Sequence, residues 1–462
     1  MNSIRFRNLW FNTRIKSITS IQERDNTMEK NTKSIDTTEN EVKEIRAMYE
    51  EMLSESTTDS RRAELVDEFM KFRKPDGSFS TIDDYHIDSD CVVYFALIPT
   101  YSITAALVYA DLRGIGTKES REALLGGLKF AAELRGLIGH GFDATNDLLE
   151  AIGIYKRAGI YKWLRKNEGR APEFQAVISK RVLEMKHALA EGRVFSGWNE
   201  DYTKEFTREV EDFEREMYDY VWYASYGSNL SRERFMRYID RCSDTSEPVE
   251  DKAKVFNFSL YFADKTSIWG DGKGGSAFID DSTDGMTHCR MYKIKRSQFE
   301  EVMAMEGSKY TRKIDLDPTM EGDCPCYTFT APSVNEETNA PCQEYFDSIL
   351  TGLKEMYPNT PENLLRFYLL SRCLSKDEIN ALAQIRRSEH AVKNTDIRGI
   401  RTKKKHMNCI MSLAKLGLIR EDGRSINEGL KITDYNALLY TVKESRELVD
   451  MLLIGASMKG GM

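Results

Sequence analysis

Apolar side chains recur at helical intervals through residues 41–56 (EVKEIRAMYEEMLSES) and again from Arg61 to Phe72, where Lys74-Pro75-Asp76-Gly77 breaks the pattern as a turn. From Cys91 to Ala110 the run CVVYFALIPTYSITAALVYA is nearly all apolar and is interrupted by Pro99, which predicts two abutting buried helices. Leu124 to Leu137, Asp147 to Leu164 and Glu173 to Ala190 keep the helical period, with glycine-rich joints such as Gly136 to Gly141. These segments predict an α-helical domain over 41–217, behind a polar segment, 1–40, expected to be disordered.

A charged helix from Tyr202 to Glu216 then leads into a different period. VWYAS (221–225), FNFSLYF (256–262), SAFI (276–279), CRMYKI (289–294) and CYTFTA (326–331) are short runs rich in aromatic and β-branched residues, which predicts a strand-built domain over 218–345. A short helix is expected over Lys295 to Met303, and Gly270-Asp271-Gly272-Lys273-Gly274-Gly275 reads as a flexible turn. Residues 346–462 return to helix. Thr360 before Pro361-Glu362-Asn363 is a helix start, and Ser375-Lys376-Asp377-Glu378 is a capping box. Met407 to Leu416, followed by short extended stretches around Gly417 to Ile419 and Gly429 to Thr433, has the outline of a winged helix.

A length of 462 residues calls for two to four cores rather than one. With 41% apolar and 30% charged residues, and no run of about 18 to 20 apolar residues, the chain is expected to be soluble with no membrane partner. The net charge of −8 argues against a chain built mainly to coat nucleic acid. Eight cysteines are too sparse for a disulfide framework, so a reducing cytoplasm is the expected location. The first 27 residues hold five Arg or Lys with Trp10 and Phe11, which faintly resembles a targeting segment. Met28, followed by polar MEKNTKSIDTTENEV, is the alternative start.

Four groups of residues carry candidate chemistry outside the strand domain's first turn. Cys324 and Cys326 with Cys342 lack a second close pair or histidine at zinc spacing, so no metal site is expected there. Asp83, Asp84, Asp88 and Asp90 are either a cation loop or a solvated capping cluster. His140 between two glycines either lines a pocket or sits in a tight turn. Residues 386–406 contain eight Arg and Lys against Glu389 and Asp396, which is either a phosphate-binding face for nucleic acid or a solvated surface.

The most informative stretch is YASYGSNL at 223–230. A strand ends in a turn around Gly227, the residue that takes positive φ freely, followed by small polar Ser228 and Asn229. Such a turn can aim successive backbone N–H groups at a carboxylate or a polarised carbonyl. By itself it reads more simply as the end of a strand.

Tyr226-Gly227-Ser228-Asn229-Leu230 after an apolar strand resembles the hallmark of the γ-glutamylcyclotransferase family. Trp269 and Gly274-Gly275-Ser276-Ala277, then Arg290 to Ile294, then Met303-Ala304-Met305-Glu306-Gly307 resemble further family segments in the family's order. The resemblance covers about residues 218–330 and maps the family's catalytic glutamate onto Glu306; Tyr310 is the candidate for its substrate-holding tyrosine. Ala304 departs from the pattern, standing where the family has aspartate.

The implied fold is α+β and multidomain: an N-terminal α-helical domain, a central small β-barrel-like domain and a C-terminal helical module of winged-helix type. The implied reaction is attack of a γ-glutamyl α-amine on its own γ-carbonyl, releasing 5-oxoproline and an amine, with Glu306 as acid and base. It requires no metal or organic cofactor, and its substrate is a small γ-glutamyl compound. The rival expectation is a ligand-binding or regulatory protein whose basic C-terminal module contacts DNA or a protein.

Overall fold

The computed structural model describes residues 32–82, 93–134, 144–192, 203–265, 269–270, 272, 274–317, 323–334, 338–387, 392–393, 398, 403–421, 439–442 and 446–459. The chain divides into two compact units, Met1–Met217 and Tyr218–Met462. The aspartates at 83–90, His140 and the tip of the C-terminal hairpin lie outside the described residues.

The first unit is helical: α1 (Thr32–Leu53), α2 (Asp59–Met70), α3 (Ile98–Leu112), α4 (Lys118–Leu134), α5 (Ala144–Arg157), α6 (Ile160–Lys166), α7 (Pro172–Ala190) and α8 (Thr203–Met217). Helix α1 begins at Thr32, inside the segment expected to be disordered. It is held by Val42, Ile45, Tyr49 and Met52, which are buried on one face.

The apolar run expected as two helices is instead one. A wide π-helical turn at Val93–Leu97 runs directly into α3, and Pro99 falls in the first α-helical turn, where its missing N–H is not needed. The span Tyr94–Leu112 is long and apolar enough to cross a membrane, but 83% of it is buried inside the protein, as a core helix is. Thr100 and Thr104 satisfy their hydroxyls on carbonyls one turn back, at 2.7 and 2.6 Å, and Thr104 also meets the Tyr155 hydroxyl at 2.8 Å.

The second unit is a mixed α/β body. Its strands are β1 (Tyr220–Ser225), β2 (Glu250–Phe256), β3 (Ser259–Ala263), β4 (Ser276–Asp280), β5 (Thr287–Lys295), β6 (Arg312–Asp315) and β7 (Cys326–Thr330). Helices α9 (Arg232–Ile239) and α10 (Arg296–Glu306) lie between them in sequence. One five-stranded sheet runs β2-β5-β1-β7-β6, and β3-β4 form a separate ladder. Strand β1 is central, antiparallel to β5 (Tyr223 opposite Tyr292) and parallel to β7 (Trp222 opposite Cys326).

Both faces of β1 are buried, which is why VWYAS reads as a continuous apolar run rather than an alternation. Val221 and Tyr223 pack with Phe235, Tyr238, Phe299 and Val302 of α9 and α10. Trp222 and Ala224 face the opposite core. The two sheets meet through a side chain and not a backbone ladder: Ile279 N–H donates to Thr330 Oγ1 at 3.0 Å, and that hydroxyl donates to Ile279 O at 3.1 Å. The expected barrel-like closure is thus an open sheet with a second short ladder against it.

The remaining elements are α11 (Gln343–Met356), α12 (Glu362–Cys373), α13 (Lys376–Arg387), β8 (Val392–Lys393), α14 (Lys403–Lys415), β9 (Ile419–Glu421), β10 (Leu439–Val442) and α15 (Arg446–Lys459). The boundary expected at 345/346 falls inside α11. Phe346, Ile349 and Leu353 of α11, Leu369 of α12, Leu382 of α13, Leu413 of α14 and Leu452 of α15 join the cluster beneath Trp222 and Ala224. The capping box before α13 forms as expected, with Ser375 N–H donating to Glu378 Oε2 at 2.6 Å and Glu378 N–H to Ser375 Oγ at 3.3 Å. Strands β8, β10 and β9 form an antiparallel sheet in that order.

Candidate functional site

Strand β1 delivers its C-terminal turn to the place where α10 ends. Helix α10 starts where Gln298 Oε1 accepts the Lys295 N–H at 2.9 Å and stops at Gly307, whose φ of 76° is the left-handed conformation that glycine adopts freely. The last side chain before that stop is Glu306. It does not point to bulk solvent: Asn229 Nδ2 donates to Glu306 Oε1 at 3.1 Å, joining residues 77 positions apart.

Asn229 is itself buried and held from several sides. Its amide reaches the Tyr223 hydroxyl at 3.4 Å, and Tyr292 Oη donates to the Asn229 carbonyl at 2.9 Å. Tyr238, four residues after Arg234 on α9, adds a second hydrogen bond to the Glu306 carboxyl. Glu306 keeps part of its surface open. The protein nevertheless crowds it, and burial pushes its pKa above the ordinary carboxyl value, opposed by the Tyr238 and Asn229 hydrogen bonds and the nearby Arg234 charge. The carboxylate reaches five phenols electrostatically. Burial first, and Glu306 among the further causes, raises the pKa of Tyr223, Tyr226, Tyr238, Tyr310 and Tyr345.

Gly227 is not required for the sign of its backbone angle, since its φ is −104°. It serves close approach: a Cβ there would stand 3.0 Å from Tyr345 Oη, which would have to give by a few tenths of an ångström. That hydroxyl accepts the Ala277 N–H at 3.3 Å and is also met by the Ser228 N–H, so backbone donors do converge beside the turn. Gly275 is likewise a close-approach residue, because a Cβ would lie 1.9 Å from Asn339 O.

The residues expected at the site divide into two groups. Asn229, Glu306 and the backbone of Gly227 and Ser228 come together. The side chains of Tyr226 and Leu230 turn to the core instead. Tyr226 Oη donates to Phe329 O at 2.8 Å, and Leu230 is buried against the Gly352 backbone of α11. Tyr310 is close enough to feel the Glu306 charge, with its hydroxyl donating to Ala277 O at 2.9 Å and its ring stacked on Phe278 at 5.0 Å.

Three residues beside Glu306 were not singled out from sequence: Arg234, Tyr238 and Tyr345. The signal for the first two is their spacing, i and i+4 on a helix that opens directly after the turn. Tyr345 carries no comparable signal beyond its place in the first turn of α11.

Cys324, Cys326 and Cys342 are buried thiols, and the seven described cysteines are free of disulfides. Among the described residues no group of three or more His, Cys, Asp or Glu is placed to hold a metal.

No family model matches the chain. Histone deacetylase 5 of Arabidopsis thaliana is 34% identical over 100 residues, a stretch that covers 19% of this chain and 15% of that protein. The chain therefore spans only a small part of the curated relative it matches. A solved structure described as Gamma-glutamyl cyclotransferase is similar at 24% identity over 32% of this chain and 86% of its own, with a TM-score of 0.26. The structure of an uncharacterized protein from Homo sapiens gives 24% identity over 32% of this chain and 88% of its own, with a TM-score of 0.25.

Proposed function

We propose that the second unit cyclises a γ-glutamyl compound, with Glu306 as the single acid and base. One observation carries the reading: Asn229, in the turn after β1, hydrogen-bonds Glu306, at the end of α10, across 3.1 Å. A structural glutamate before a helix-ending glycine would face solvent. This one is crowded by the protein, and burial raises its affinity for a proton against the opposing Tyr238 and Asn229 hydrogen bonds and the Arg234 charge, the direction a general base requires.

In the proposed step the substrate's α-ammonium loses a proton to the Glu306 carboxylate, and the freed amine attacks the γ-carbonyl, forming the ring C–N bond. Collapse of the tetrahedral intermediate breaks the C–N bond to the leaving amine, which takes the first proton back from Glu306; the ring nitrogen sheds its second proton to become the neutral lactam N–H, and the departing amine takes up that proton as an ammonium. Asn229 and Tyr238 orient the carboxyl, and the Tyr345 hydroxyl, itself held by the Ala277 and Ser228 N–H groups, is the donor available to the polarised oxygen. Because nucleophile and electrophile belong to one molecule, holding them in register is worth an effective molarity of roughly 10⁵ to 10⁸ M, while proton transfer adds about 10² to 10⁴ in rate. Release of 5-oxoproline from γ-glutamyl amino acids and amines, lost in Glu306→Gln, is the test.

A second reading concerns the C-terminal helices. The order β8-β10-β9, with α14 between β8 and β9, is the order that a winged helix uses. Residues 376–462 contain sixteen Lys and Arg against eleven Asp and Glu in a chain of net charge −8. On this reading the module contacts a nucleic-acid backbone, and binding that weakens steeply with salt tests it.

A further inference from the structure

Arg234 stands in the first turns of α9, immediately after the Tyr226–Leu230 turn. Its guanidinium lies 5.1 Å from the ring centroid of Tyr238 and 5.4 Å from that of Trp269. Tyr238 is hydrogen-bonded to Glu306, and the Trp269 ring is 5.3 Å from Tyr345, whose hydroxyl sits on the Ala277 and Ser228 N–H groups. The aromatic clamp therefore fixes this guanidinium at the edge of the same cluster that holds the carboxyl.

Neighbouring arginines have anionic partners. Arg232 pairs with Glu247 at 2.8 Å, Arg237 with Glu233 at 2.7 Å, Arg312 with Asp281 at 2.7 Å, and Arg290 with Asp251 and Glu355. Arg234 differs. Among the described residues no carboxylate lies within ion-pair distance of it, and its Nε is buried with no hydrogen-bond acceptor. A buried Nε–H without an acceptor is an unmade hydrogen bond, and a planar fork set against two rings matches a carboxylate. Glu306 lies near enough to feel its charge but does not pair with it. The two opposite charges, held apart at one site, complement the ammonium and carboxylate of an α-amino acid.

We propose that Arg234 anchors a carboxylate of the substrate while the substrate's amine faces Glu306. The inference rests on the cyclotransferase reading only for the identity of the ligand. Every γ-glutamyl compound offers its α-carboxylate, and γ-glutamyl amino acids offer a second carboxylate on the leaving group; both use the same chemistry at the guanidinium.

The test is calorimetric titration of full-length Glu306→Gln protein, which binds without turning over, with γ-glutamylalanine and with γ-glutamylethylamide. Adding Arg234→Gln weakens γ-glutamylalanine by about 30-fold or more, the scale of removing one partner of a desolvated charge pair. Arg234→Lys, which keeps the charge but not the fork, weakens it less. An equal loss for the ethylamide assigns the anchor to the α-carboxylate; a loss confined to γ-glutamylalanine assigns it to the leaving amino acid. Unchanged affinity for both ligands in Arg234→Lys and Arg234→Gln, or no binding by the parent, overturns the proposal. Arg234-dependent binding without 5-oxoproline release from the unmutated protein leaves the anchor standing and removes the cyclotransferase. Release with affinity indifferent to Arg234 does the reverse.

Discussion

Replacing Asn229 by alanine removes a donor that the Glu306 carboxylate accepts at 3.1 Å. A hydrogen bond to an ionised group contributes about 1.5–3 kcal/mol, and one pKa unit corresponds to about 1.36 kcal/mol. Glu306 is partly open, so water replaces some of the lost bond, and a rise of about one unit is the expected size. The sign follows from which form the bond favours: the amide stabilises the carboxylate, so its loss favours the protonated acid. The acid limb of the kcat/KM profile for 5-oxoproline release should therefore move about one unit to higher pH. Tyr238→Phe should move it in the same direction. A ¹³C NMR titration of the Glu306 carboxyl reads the shift without turnover, and an unchanged or lowered midpoint in both variants would refute the coupling.

Other substitutions test the fold. Lys186 and Glu214 form an ion pair at 2.8 Å with both side chains 3% exposed, so Glu214→Gln should lower stability by about 3–5 kcal/mol in denaturant titration, and Lys186→Met with Glu214→Leu by less. Gly275→Ala should cost about 3 kcal/mol, since its Cβ would sit 1.9 Å from Asn339 O. Gly153→Ala, in α5 with nothing within 4 Å, should stabilise by about 0.5–1 kcal/mol. His288 lies edge-on to Tyr357 and Tyr368, and burial, then the Arg372 charge, lowers its pKa. Its neutral form is favoured in the fold, so its contribution is complete above about pH 6.5 and is lost as pH falls below that value. Tm should drop more between pH 7.5 and 5.5 in the unmutated protein than in His288→Gln.

The strands that sequence reveals are those whose burial leaves a compositional trace. VWYAS and CYTFTA carry no charged residue because the central strands are covered on both faces. Strand β2 (EDKAKVF) escapes because it is an exposed edge, where charge prevents pairing with another chain, and β6 is only four residues long. Helix α1 hides its start because its first turns are polar and Thr-rich, and packing of Val42, Ile45 and Tyr49 supplies what composition does not. The boundary within α11 was illegible because shared apolar contact between the sheet and the C-terminal helices leaves no linker.

At the site, the turn and the helix-ending glutamate were singled out by resemblance to a family's segments in order; turn chemistry alone fits a strand end, and a glutamate before a glycine fits an exposed helix end. Arg234, Tyr238 and Tyr345 were not, since an aromatic residue on an amphipathic helix reads as core until its hydroxyl is seen to face a carboxyl. Tyr226 and Leu230 show the converse. Their motif positions suggest ligand contact, while their side chains hold the turn to the sheet and to α11.

The most direct test of the account is 5-oxoproline release from a panel of γ-glutamyl amino acids and amines by the unmutated chain and by Glu306→Gln. The account predicts release by the first and at least about 10²-fold less by the second at equal folding, as judged by circular dichroism. Release by Glu306→Gln equal to that of the unmutated chain, or release from no member of the panel by either protein, would contradict it.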